Sequence, residues 1–402
     1  MKKKSLILGL VLAMVMSLFV ACSGKDSNDE TKGEETKDTQ ETQDTQETQD
    51  TTGGDEGAGD ALKVAIVTSP SGVDDGSFNQ DNYNGVLAFI AENPNTTVQA
   101  VREPSGDPAA SVQAVADIVA DYDVIITPGF QFAGISSLAV DNPDKKFVLI
   151  DSEPAEVDGQ TEFDNIYSMT FKEHESGFFA GVAAALETKT NKVAVVNGIA
   201  FPSNVNYQFG FEAGVNYANK HLGTEAEIVE LPSYAGTDVT NANVGGNYVG
   251  DFADEATGKV VGNALIAEGV DILFVAAGGS GNGVFTAAKE AEADIKVIGC
   301  DVDQFDDGVY GGGNIILTSA LKVMSINVER SLNAIKDGSF KGGHALLGAD
   351  TDSTGYVSVE GRHQLSDDTL AALEDVYVKV KSGEIVPPDN FSESTPEDFK
   401  GL

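Results

Sequence analysis

From about residue 61 onward, short apolar runs alternate with amphipathic stretches, and this alternation constrains the fold more than any other feature. The runs are "LKVAIVT", "TTVQAVRE", "YDVIITPG", "KKFVLIDS", "NIYSMTF", "NKVAVVNG", "AEIVELPS", "VDILFVAAGG", "IKVIGCD" and "NIILTSAL". Most are continuous rather than alternating, as in parallel strands covered on both faces. Between them lie helix-like segments such as "PAASVQAVADIVAD", "SGFFAGVAAALETK" and "GVFTAAKEAEA". Strand, helix, strand in sequence gives a doubly wound α/β chain. Ten strands exceed a comfortable open sheet, so two lobes are expected.

The N-terminus reads as a processing signal. "MKKK" is a positive region, "LILGLVLAMVMSLFVA" is an apolar core, and Cys22 follows. The run is short for a membrane helix. "FVAC" is similar to a bacterial lipobox, with Phe19 where Leu is usual, so residues 1–22 are expected to be a lipoprotein signal with Cys22 acylated. A plain secretory signal cut near Ala21 is the alternative. Residues 23–60 hold thirteen acids, three lysines and a "TQETQD" repeat. They carry no aromatic side chain and cannot bury enough apolar surface to offset ordering, so they read as a disordered acidic tether. Cys300 is then the sole remaining cysteine, a buried thiol in "IKVIGCD", and no disulfide is expected.

The chain has 25 basic and 64 acidic residues and a net charge of -39. Such a surface repels phosphate backbones, which argues against nucleic acid as a partner. In doubly wound sheets ligands gather at the carboxyl ends of strands. Here those ends carry "SPSGVDDGSFN", "TPGFQF" with Phe130, "IDSEP" with Asp151, "IAFPSNVNYQFGF" with Tyr207, "AAGGSGNGVF" with Gly278, "VIGCDVDQ" with Asp301, and "LTSALK" with Lys322. Rings stack flat heterocycles or sugar faces, and carboxylates accept hydroxyl hydrogens. The glycine-rich stretch fits neither phosphate-loop pattern. Its glycines suit either a backbone approach to a neutral ligand or a tight turn. Phe78 poses a related question, because a large ring occupies the first helical position after Ser77, which reads as an N-cap.

No catalytic motif stands out. His174, His221, His344 and His363 are scattered, and "FKEHESG" reads as a solvated helix start rather than a metal site. Asp74 and Asp75 could in principle act as a glycosidase pair, but adjacent loop acids are more often caps and surface charge. The closing run "SESTPEDF" reads as solvated tail. No catalytic residue, metal or cofactor is expected.

Taken together, "DDGSFNQ", "ITPGF", "FVLIDS", "TFKEHESGFFAG", "GFEAGV", "AAGGSGNGVF", "VIGCDVDQ" and "LTSALK" resemble the basic membrane protein family, substrate-binding lipoproteins of ABC transporters. The resemblance covers roughly residues 62–340. It implies the type I periplasmic-binding fold, an α/β architecture with two doubly wound lobes joined by three hinge crossovers. Residues 61–170 plus 303–320 would form the N-terminal lobe, and 171–302 plus 321–402 the C-terminal lobe. It also implies a lipid-anchored, extracytoplasmic, monomeric receptor that passes a nucleoside, foremost a purine nucleoside, to permease and ATPase subunits.

Carried over by motif, Phe78 and Tyr207 would be the walls of a base sandwich, with Asn79 and Asp151 near the base. Gly278 would form the cleft floor, and Asp301 and Lys322 would hold ribose hydroxyls. Ser69, Asp75 and Phe130 complete the expected ligand-binding set. The chain departs from the family at Ser69, where "VTSPSG" replaces "VTDxGG" and an aspartate expected to face the base is missing. Another neutral solute such as a sugar remains open as the ligand, as does a nucleosidase built on the same cleft. A transcriptional regulator is a third reading, opposed by the signal segment and the acidic charge.

Overall fold

A computed structural model describes residues 61–390 and 392–402. The signal segment, Cys22 and the 23–60 tether lie outside the described residues. Among the described residues no helix is long and apolar enough to cross a membrane.

The first lobe is built on β1 (Lys63–Thr68), α1 (Phe78–Glu92), β2 (Thr97–Arg102), α2 (Pro108–Ala116), β3 (Val124–Pro128), α3 (Ser136–Asp141), β4 (Lys146–Ile150) and β5 (Ile166–Phe171). Apart from Lys63, every residue of β1 is buried, and β1 pairs in parallel with β2 and β3. That explains its uninterrupted apolar run. Helix α2 starts with Pro108, which has no N–H to lose, and Asp107 accepts the Ala110 N–H at 2.9 Å.

The chain then crosses to the second lobe through α4 (Glu173–Glu187), β6 (Lys192–Asn197), α5 (Pro202–Tyr217) and β7 (Glu227–Ile228). A small ribbon, β8 (Gly236–Thr237) with β9 (Asn243–Gly245), precedes α6 (Glu255–Ala267), β10 (Ile272–Ala276), α7 (Gly279–Glu290) and β11 (Lys296–Asp301). A second ribbon, β12 (Val309–Tyr310) with β13 (Gly313–Asn314), leads into β14 (Ile316–Lys322). The chain returns to the first lobe as α8 (Ser325–Asp337) and β15 (Gly343–Leu347). It then crosses again to β16 (Thr354–Tyr356) and α9 (Asp367–Lys381).

Two six-stranded sheets result, in the orders β15-β5-β4-β3-β1-β2 and β16-β14-β11-β10-β6-β7. The pairs within them are parallel except β14 with β16. The chain therefore passes between lobes three times, after β5, after β14 and after β15. The boundaries expected from the sequence need correction. Residues 316–320 belong to β14 in the second sheet, whereas α8 and β15 return to the first lobe. Helix α8 packs its Val328 and Leu332 into the first-lobe core, and β15 pairs with β5 from Gly343↔Tyr167 to Leu347↔Phe171.

Helices α4 and α5 pack closely because glycines on each meet the backbone of the other. A Cβ on Gly181 would lie 2.1 Å from the Phe211 carbonyl oxygen. The glycines of "GGSGNGV" serve packing as well, since a Cβ on Gly283 would lie 1.9 Å from the Glu255 carbonyl oxygen of α6. The C-terminal run is not merely a solvated tail. Its acids Glu393, Glu397 and Asp398 are exposed, but Phe399 is buried in the second-lobe core, edge-on to Phe178 with centroids 5.8 Å apart.

Candidate functional site

Strand ends of both lobes meet around one cavity with about 590 Å³ of empty space. All ten residues expected at a ligand site line it: Ser69, Asp75, Phe78, Asn79, Phe130, Asp151, Tyr207, Gly278, Asp301 and Lys322.

Asp301 ends β11 and Asp151 directly follows β4, and both adopt left-handed backbone conformations, φ 67° and 61°. Non-glycine residues seldom do so without a surrounding structure that holds them there. Asp301 Oδ1 accepts the Tyr207 hydroxyl at 2.9 Å, and its Oδ2 accepts the Ser77 hydroxyl at 2.7 Å. Ser77 belongs to the first lobe, so this carboxylate joins the two lobes. Gln304 Nε2 donates to the Gly76 carbonyl at 3.1 Å across the same boundary.

Ser77 holds the N-cap position of α1, as the sequence suggests, but its side chain makes no capping bond. Its hydroxyl is engaged by Asp301, and Asp75 takes the capping role. The Asp75 carboxylate accepts the N–H groups of Ser77, Asn79 and Gln80, each at 3.0 Å. Burial pushes Asp75 up to about 6 despite those three donors. Phe78 heads the helix half-buried, one side against the first-lobe core and the other on the cavity. The ring at that junction thus both anchors the helix start in the core and offers a face to the cavity.

Lys322 ends β14 with its side chain 2% exposed. Its ammonium pairs with Asp151 from the first lobe and with Glu173 Oε1 at 3.0 Å. It also stands 5.0 Å from the Phe78 ring centroid, 5.3 Å from Phe171 and 5.9 Å from Tyr207. Burial opposes the charge on Lys322, yet Asp151, Glu173 and Asp301 around it hold its pKa above the ordinary value. Three carboxylates surround one ammonium, and two of them pair with it. Burial, reinforced by that surplus of acid, pushes Asp151 up and Glu173 up to about 7 against the pull of Lys322.

Glu173, His174 and Glu175 thus form no solvated helix start. All three are buried. Glu173 faces Lys322, while Glu175 accepts the Ala349 N–H and the Thr354 hydroxyl, each at 2.7 Å.

On the base side expected from the resemblance, Asn79 Nδ2 donates to Ser69 Oγ at 2.9 Å and Ser71 Oγ at 3.3 Å. Its Oδ1 is buried and has no partner. Asp151 Oδ1 is likewise unpartnered. Gly278 caps α7 at φ 52° beneath Phe252. The sequence reading missed Phe201 and Phe252, which with Phe130 form a row of rings along the cavity at centroid spacings of 5.5 and 6.0 Å. Phe201 lay in a stretch already singled out, but its neighbours there are also aromatic and nothing ranked them.

Lys322 is the only cation lining the cavity among the described residues, and two carboxylates already hold it. An anionic ligand would therefore meet net negative charge. A neutral ligand with a flat face and hydroxyl donors would meet rings and acceptors.

A family model described as ABC transporter substrate-binding protein PnrA-like matches residues 62–233 and 234–390. The chain is 30% identical over 342 residues to the ABC transporter nucleoside-binding protein BmpA of Lactococcus lactis subsp. cremoris, spanning 80% of this chain and 86% of that one. It is 29% identical over 404 residues to the CD4+ T-cell-stimulating antigen of Listeria innocua, spanning 97% and 99%. An ABC transporter solute-binding protein from Aeropyrum pernix shares the fold with a TM-score of 0.68 at 24% identity, covering 82% of this chain and 94% of that one. With its two parallel-sheet lobes of the type I periplasmic-binding kind, the chain belongs to the family of PnrA-like ABC transporter substrate-binding proteins.

Proposed function

We propose that this protein captures a nucleoside, foremost a purine nucleoside, between its lobes and delivers it to an ABC permease. A lipid on Cys22 would hold it at the extracytoplasmic face of the membrane, with residues 23–60 as the tether. The observation that carries the reading is the lining of one cavity: Phe78 and Tyr207 beside the same ammonium, Asp301 at a strand end, and no uncommitted cation among the described residues. The name of the Lactococcus relative as a nucleoside-binding protein supports the same ligand class.

In this account Phe78 and Tyr207 flank the base, Asp151 lies near it, and the unpartnered oxygen of Asn79 accepts one of its N–H groups. Asp301 accepts ribose hydroxyls beside Lys322. A carboxylate makes charge-assisted bonds to hydroxyls, each stronger than a neutral bond at roughly 1.5–3 kcal/mol. Asp301→Ala should therefore weaken adenosine binding about tenfold or more, since each 1.4 kcal/mol is a factor of ten. It should weaken 2′,3′-dideoxyadenosine far less. Equal losses for both ligands in a folded variant would make Asp301 a structural carboxylate. The anchor is tested separately, because Cys22→Ser should move the protein from the detergent phase to the aqueous one.

A further inference from the structure

Beside the first cavity lies a larger one, with about 1700 Å³ of empty space, and Phe130, Asp151 and Ser203 line both. It is bordered by the first interlobe crossover, by the start of α5, and by the chain that leaves α9. That last segment is tied to the ion cluster, since the Asn390 N–H donates to Asn206 Oδ1 at 2.9 Å and Asn206 Nδ2 donates to Glu173 at 3.0 Å. Nothing in the nucleoside reading uses this space.

Its lining has two chemistries. One part is acceptor-rich. Glu173 and Glu175 are buried there, the Asp151 side chain is nearly so, and Asp151 Oδ1 has no partner. His174 is 7% exposed and its Nδ1 is also unpartnered. Burial pushes this imidazole down to about 4, so at neutral pH it adds no positive charge. The two lysines of the lining are committed, Lys172 to Glu175 and Asp350 and Lys381 to Asp352. The other part is aliphatic: Leu346, Val380, Ile385 and Val386, of which Leu346 and Val386 are 56% and 61% exposed. Buried unpaired acceptors call for donors, and a negative pocket concentrates cations.

We propose that this second cavity is a separate binding site for a small aliphatic amine, its ammonium group near Asp151, Glu173 and His174 and its methylenes along Leu346, Val380, Ile385 and Val386. The site stands on these observations alone and does not need the nucleoside reading.

The test is calorimetric titration of the full chain with putrescine at about 0.15 M salt, where attraction to exposed charge is screened beyond about 8 Å. One saturable site is expected, with no response to the neutral diol 1,4-butanediol. Val386→Lys and Leu346→Lys, both at exposed positions, place a cation in the cavity while barely changing a net charge of -39. Each should weaken putrescine binding about tenfold or more, equivalent to 1.4 kcal/mol. Many weak sites, unchanged affinity in both variants, or equal binding of the diol would overturn the proposal. Adenosine added with putrescine should bind alongside it, and direct competition would place the amine in the first cavity and overturn the assignment. If adenosine alone fails to bind, the nucleoside reading falls, and the putrescine titration still decides this one.

Discussion

Replacing Lys322 by Met probes the ion cluster at the crossing of the two lobes. The methionine side chain keeps most of the length and removes the charge. Asp151 and Glu173 then face each other and Asp301 without an ammonium, in a place where the lysine side chain is 2% exposed. Breaking a buried pair by removing one partner destabilises by about 3–5 kcal/mol, because the remaining charge is uncompensated. The carboxylates have an escape, since they can bind protons. Glu173 already titrates at about 7 against an ordinary 4.5, and loss of the lysine that pulls it down moves it higher still.

In the folded variant Glu173 therefore holds a proton at pH values where the unfolded chain does not, so the variant regains stability as pH falls from above 7 toward 4.5. Urea unfolding should be followed by far-ultraviolet circular dichroism, since the chain has no tryptophan. At about pH 8 the variant should lie about 3–5 kcal/mol below wild type, and the gap should narrow on acidification. A gap under about 1 kcal/mol, the level of an exposed pair, or one that does not change with pH, would refute the reasoning.

Glu212 is raised by burial from 4.5 to about 8, so its contribution to stability is complete below 4.5 and is lost as pH rises through about 8. Glu212→Gln should flatten the fall in stability across that window, and an unchanged slope in a pH series of thermal melts would count against it. Phe78→Ala should weaken adenosine and its dideoxy analogue equally, by about 1–3 kcal/mol, the range for bases on aromatic platforms. Unequal losses by calorimetry would mean that the ring does not face the base. A serine hydroxyl at position 69 cannot carry a carboxylate's charge, so pyrimidine nucleosides should compete measurably in wild type and less in Ser69→Asp. Strict purine preference in wild type, measured by competition binding, would contradict this.

The sheets and the strand-end cavity were legible because both rest on local signals. Parallel strands buried on two faces write continuous apolar runs, and loops after such strands converge on one edge. What escaped was non-local. Strand β15, "GHALL", is largely exposed and lies at a sheet edge, so it carries no apolar run, and its membership of the first sheet follows only from pairing with β5. Ser77 and Asp75 are both good caps by type, and only contact with Asp301 of the other lobe decides that the serine hydroxyl is spent elsewhere. "FKEHESG" looks wet because it is charged, yet a lysine far along the chain pairs with its first glutamate. Phe201 and Phe252 sit outside any periodic pattern, and only the folded chain lines them up with Phe130.

The most direct measurement is a thermal-stability panel of nucleosides, free bases and sugars on the full chain, with the recovered ligand analysed after overnight incubation. A purine nucleoside at about 100 times its dissociation constant should add about 2.7 kcal/mol of stability and be recovered intact. Stabilisation by sugars and not by nucleosides, or recovery of the nucleoside as free base, would contradict the account.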